Sequence, residues 1–170
     1  KRSRQIPRSP LAVVATREAV GDRLLGATLY GSAAGGEFDP RHSDLNVAFV
    51  FSALGPVELE ALRPALRRWT RLRLARPLLL SEEDLMRSLD TFPLEYLLIR
   101  ERHETLHGRD HFAGLSIDRA ALRREIERLL RTQELGLNWT YLTLAGTASG
   151  AREWALRAGT AVSASASGLL

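Results

Sequence analysis

Between Leu11 and Leu25 the apolar residues Leu11, Val14, Ala15, Ala19, Leu24 and Leu25 recur at roughly helical spacing, with Pro10 suited to a first turn. An amphipathic helix is expected here, ended by Gly26, with a short strand over Ala27 to Tyr30. Gly31-Ser32-Ala33-Ala34-Gly35-Gly36 then reads as a glycine-bearing turn opening a helix, and the segment from Asp44 to Phe51 as a central strand. Leu59, Leu62, Leu66 and Trp69 share a helix face opposed by Arg63, Arg67, Arg68 and Arg71, and Pro64 is expected to kink or restart that helix. A strand over 76 to 80 leads into Ser81-Glu82-Glu83-Asp84, an N-cap with acidic residues placed for the helix dipole, and a helix to about Leu89.

After Pro93, the apolar run from Leu94 to Ile99 predicts another interior strand, interrupted by the single carboxylate Glu95. Glu104 to Gly108 predicts a last short strand and turn, and Asp118 a cap for a helix carrying Leu122, Ile126, Leu129 and Leu130. Gly136, Gly146 and Gly150 are expected to break the remainder into helical segments around Trp139 to Leu144 and Arg152 to Val162, with a frayed tail. Trp139 and Tyr141 are assigned to core packing, with a cleft lining as the alternative. The fold class is α/β: a small mixed sheet flanked by helices over residues 1–115, with a helical region over 116–170.

Composition narrows the function classes. The chain has 170 residues, 45% of them apolar, enough to build a core. With no cysteine it has no disulfide framework, thiolate zinc site or cysteine nucleophile. No apolar run approaches the ~20 residues of a membrane-spanning helix and no secretory signal opens the chain, so a cytoplasmic protein is expected. All but one of the 24 basic residues are Arg, against 20 acidic ones, for a net charge of +4. Arginine admits nucleotide or nucleic-acid partners, but so small an excess does not call for nucleic acid.

The candidate chemistry lies between Tyr30 and Asn46. A glycine turn with the Ser32 hydroxyl at a helix start offers donors for phosphate. On the next strand, period-two alternation puts Asp44 and Asn46 on one face, about 7 Å apart along the backbone, where both oxygens can reach one metal ion. Glu95, from a separate strand, is the carboxylate available to join them. Donors for a triphosphate and oxygen ligands for Mg²⁺ are what phosphoryl or nucleotidyl transfer needs.

Leu29-Tyr30-Gly31-Ser32-Ala33-Ala34-Gly35-Gly36 followed by Ser43-Asp44-Leu45-Asn46-Val47 resembles the signature of the nucleotidyltransferase superfamily, which includes DNA polymerase β and the aminoglycoside nucleotidyltransferases. The likeness covers about Leu11 to His111 and is nearest to bacterial members in which Phe92-Pro93-Leu94-Glu95 and Leu106-His107-Gly108-Arg109-Asp110 precede a helical region. The resemblance implies that Gly31 and Ser32 bind nucleotide phosphates, that Asp44 and Glu95 are catalytic carboxylates holding Mg²⁺, and that a nucleoside monophosphate passes from a triphosphate, ATP in the first instance, to a hydroxyl-bearing acceptor. Two departures stand out. Asn46 occupies the place of a second aspartate, and Gly35 a place where relatives often carry Arg.

Other readings stay open on the residues themselves. Ser43-Asp44 can close a loop with Asn46 bonding a neighbour, and Glu95 can form a buried pair with an arginine. The two departures also fit a degenerate nucleotide-binding or regulatory module, antitoxin-like, that works through a protein partner. His103, His107 and His111, four apart, would align on a helix, but Gly108 places them on strand and turn, against a metal site. His42 in the preceding loop is open to substrate or to solvent. Arg100, Arg102 and Arg109 read as a solvated rim, with phosphate contact as the alternative.

Overall fold

The computed structural model describes residues 9–35, 45–74, 76–144 and 146–167. They divide into two compact units, one comprising Lys1–Leu89 and Leu98–Ser116, the other Asp90–Leu97 and Ile117–Leu170. The architecture is mixed α/β, as the hydrophobic pattern predicts.

The first unit is built on a four-stranded sheet of β1 (Leu24–Tyr30), β2 (Asn46–Phe51), β3 (Leu78–Ser81) and β4 (His103–Gly108), in the order β3-β2-β1-β4. β1 is antiparallel to both β2 and β4, whereas β3 is parallel to β2. A parallel neighbour requires a crossover, here supplied by the helix α2 (Pro56–Arg71). Together with α1 (Ser9–Val20), α2 covers one face of the sheet. Ala27, Leu29, Val47, Phe49 and Phe51 meet Ala12, Ala15, Leu62, Ala65 and Trp69 there, all buried, and Trp69 stacks on Phe49 with ring centroids 5.4 Å apart. The indole N–H of Trp69 donates to the Thr16 hydroxyl at 3.3 Å, so its polar edge is satisfied inside the core. Ser81 caps α3 (Glu82–Arg87) as its sequence predicts, its hydroxyl oxygen accepting the Asp84 N–H at 2.9 Å.

In the second unit α5 (Arg119–Leu144) packs against α6 (Ala148–Ser167). Asp118 caps α5 as predicted, accepting the Ala120 and Ala121 N–H groups. Trp154 donates to the Leu137 carbonyl at 3.1 Å and meets Tyr141 edge to face. Among the described residues, no helix is long and apolar enough to cross a membrane.

Several expectations are corrected. The first helix ends at Val20 rather than beyond it, because Gly21 adopts φ +60°; β1 therefore starts at Leu24. α2 runs through Pro64 as one helix. Gly136 and Gly150 lie inside α5 and α6, and only Gly146 falls between them: an isolated glycine costs a helix about 1 kcal/mol, which a long helix absorbs. Trp139 and Tyr141 are mostly exposed rather than core. The largest change concerns residues 94–99, which form not a strand but α4 (Pro93–Glu101). A short apolar run suits a buried helix as well as a strand, and Pro93, fixed at helical φ and needing no N–H partner in a first turn, tips it to helix.

Candidate functional site

The site forms at one end of the sheet. Residues paired across antiparallel strands point to the same face. Tyr30 at the end of β1 is paired with Asn46 on one side and with His103 on the other, so the three stand in a row across β2, β1 and β4. All three are half-buried, on the face opposite the α1–α2 core, where Leu45 and Val47 point. The alternation predicted for β2 is therefore realised from Leu45 onward; Asp44 and His42 lie outside the described residues.

Beyond Tyr30 the chain turns at once. Where a helix start is expected, the structure has a single 3₁₀ turn over Gly31–Ala33, with the Ala34 and Gly35 N–H groups both donating to the Gly31 carbonyl at 3.1 Å. Gly31 is required here twice over. Its φ of +74° is a conformation that side chains disfavour, and a Cβ on it would lie 3.0 Å from Nδ2 of Asn46. The Asn46 amide thus rests against the turn, so the two halves of the sequence signature meet. Ser32 is half-buried, and its hydroxyl takes no partner among the described residues.

His103, at the far end of the row, is held from both sides. Nδ1 lies 3.1 Å from the Arg100 carbonyl, which can only accept, so that nitrogen carries a proton. Nε2 lies 2.8 Å from Oδ2 of Asp110, whose Oδ1 accepts the Phe112 and Ala113 N–H groups. Burial opposes the Asp110 charge, but the His103 hydrogen bond and those two N–H donors outweigh it and hold the carboxyl down at about 2. Burial likewise opposes charge on His103, and the Asp110 bond and charge overcome it, raising the imidazole above its ordinary value. Nothing in the spacing of Asp110, seven residues on through a strand and a turn, signals this pair. The three histidines share no helix: His103 and His107 are on β4, and His111 follows it with Nδ1 2.8 Å from the Arg109 carbonyl.

The three arginines of this segment separate. Arg100 donates to the Leu115 carbonyl at 2.9 Å, and Arg109 pairs with Glu82. Arg102, immediately before His103, extends its guanidinium over the glycine turn, with Nη1 3.4 Å and Cδ 3.8 Å from where a Gly35 side chain would begin.

Glu95 stands on α4 in the second unit, with its side chain exposed. Partial desolvation, and then the charge of Glu125, raise its carboxyl above the ordinary value, while Glu125 accepts the Leu94 N–H at 2.8 Å. A raised folded-state value means that Glu95 contributes stability below the unfolded value and loses it as pH climbs through the folded one. Glu95→Gln is therefore expected to stabilise the protein at pH 7.5 by about 0.5 kcal/mol, the scale of a relieved like-charge pair. The gain should shrink in thermal melts at pH 4. A lower melting temperature at pH 7.5 would mean instead that the charged carboxylate has a favourable partner.

No family model matches the chain, and neither does any curated protein. Solved structures do. The spectinomycin adenyltransferase AAD(9) from Enterococcus faecalis, crystallised with ATP and spectinomycin, superposes with a TM-score of 0.54 over 83% of this chain and 73% of its own, at 15% identity. A toxin–antitoxin structure with AMP-PNP gives a TM-score of 0.41 over 59% of this chain and 74% of its own, also at 15% identity. The chain shares the fold of the adenyltransferase structure, a mixed α/β arrangement of the kind the sequence signature implies.

Proposed function

We propose that this protein is a nucleotidyltransferase that moves a nucleoside monophosphate from a nucleoside triphosphate, ATP first among the candidates, to a hydroxyl-bearing acceptor. The observation that carries the reading is the approach of the Asn46 amide to Gly31, which brings the glycine turn and the β2 signature to one sheet end. The fold it shares with an adenyltransferase crystallised with ATP supports it. In this reading the turn and the Ser32 hydroxyl hold phosphate oxygens. The acceptor oxygen attacks the α-phosphorus as the bond to the bridging oxygen of the β-phosphate breaks, so pyrophosphate leaves and the acceptor loses its proton.

Among the described residues no group of three His, Asp or Glu side chains is placed to hold a metal ion. The cation in this proposal is Mg²⁺ arriving with the triphosphate, with Asp44 and Asn46 as its protein ligands, and it supplies charge stabilisation for the leaving pyrophosphate.

Titration calorimetry of ATP and GTP, each with and without Mg²⁺, on the full chain and on Asp44→Ala tests the reading. The expected result is Mg²⁺-dependent binding that Asp44→Ala abolishes. A chain that binds neither nucleotide overturns it and leaves the fold to an interaction module.

A further inference from the structure

We propose that Arg102 is a phosphate-binding residue of this site, carrying from the α4–β4 junction the cation that the glycine turn lacks. The inference rests on the nucleotide reading above and adds to it a residue of different origin in the chain.

The turn Gly31-Ser32-Ala33-Ala34-Gly35 contains no charged side chain, although it is where the triphosphate would be held. The Arg102 guanidinium nevertheless lies over it. Its Nη1 is 3.4 Å from the position of a Gly35 Cβ, and that same position is 3.8 Å from the Gly31 carbonyl oxygen. A glycine at 35 leaves room for this crossing: a long side chain there would occupy the space the guanidinium uses. Gly35 is not needed for its backbone angles, since among the described glycines positive φ is confined to Gly21, Gly31 and Gly108.

Arg102 is also aimed. Its own N–H donates to the Leu98 carbonyl at 3.2 Å, ending α4. The next residue, His103, is fixed at both ring nitrogens and paired in register with Tyr30, the residue before the turn. The base of the Arg102 side chain is therefore set by the same β1–β4 pairing that sets the turn. Charge completes the case. Arg102 brings a guanidinium to a turn whose own described residues are uncharged, near Asn46, which is uncharged too. A planar guanidinium with five N–H donors matches phosphate oxygens in pairs.

Four forms of the full chain test this by ATP titration with Mg²⁺: wild type, Arg102→Ala, Arg102→Lys, and the double variant Arg102→Ala with Gly35→Arg. The expected results are an affinity about tenfold or more weaker for Arg102→Ala, the scale of a lost charge-assisted hydrogen bond, and partial retention with Lys. The double variant should recover much of the loss, because the cation is returned to the same space from the turn itself. Thermal melts within a few degrees of wild type establish that the variants are folded. Wild-type binding that Arg102→Ala leaves unchanged overturns this inference alone. A loss that neither Lys nor the relocated arginine repairs overturns it too, marking Arg102 as structural. A wild type that binds no nucleotide overturns both this inference and the functional reading beneath it.

Discussion

Gly108→Ala is expected to destabilise the protein by about 3 kcal/mol, the sum of a strained backbone and a steric conflict that has no soft partner. Gly108 adopts φ +66°, and a Cβ on it would stand 1.9 Å from the Leu25 carbonyl oxygen, 2.9 Å from the Leu25 carbonyl carbon and 3.3 Å from Cα of Gly26. These are backbone atoms of β1, so no side-chain rotation relieves the clash. Only the strands can part. The residue across from it, Gly26, is equally constrained, because a Cβ there would fall 2.5 Å from Nδ1 of His111. Two glycines facing each other thus let β4 close on β1. The consequence reaches the site, since β4 begins with His103 and follows directly on Arg102. Urea denaturation should show the loss, and amide exchange should show β4 opening first. A variant within 1 kcal/mol of wild type would mean that β4 is not held by this close approach.

How much of this was legible in the residues varies with the kind of signal. β2 was readable because Val47, Phe49, Val50 and Phe51 combine β-branched and aromatic character with a polar boundary, and α3 because Ser81 and Asp84 bond each other's backbone. α4 was not, since six apolar-rich residues carry no period long enough to separate helix from strand. The misplacement took Glu95 with it: a carboxylate expected on the sheet stands on a helix, beside Glu125. The site divides in the same way. Gly31 and Asn46 come together as their spacing implies, because one antiparallel pairing, Tyr30 with Asn46, is enough to join them. Arg102 and the His103–Asp110 pair belong to the site through β4, seventy residues of chain beyond Gly31, and register across such a separation leaves no local mark. Polar side chains that serve each other across strands have no periodicity to betray them.

Asn46→Asp is expected to change nucleotide binding in opposite directions according to the metal. On the proposed reading, with Mg²⁺ present, a carboxylate at position 46 would add one negative charge to the ligands offered to the ion, and affinity for the Mg²⁺-nucleotide should rise about tenfold, since ligand charge is a main determinant of affinity in oxygen-ligand sites. With the metal chelated, the same carboxylate faces the triphosphate uncompensated, and binding should fall below wild type. The geometry permits the exchange: Asn and Asp have the same shape, Gly31 leaves space for either, and the half-buried position allows water to share the new charge. A general effect on folding would move both arms together, so the divergence is diagnostic. Calorimetric titration of ATP into wild type and variant, in Mg²⁺ and in EDTA, reads both arms. Equal affinities in Mg²⁺ would remove Asn46 from the metal ligands and leave its amide the single task of supporting the Gly31 turn.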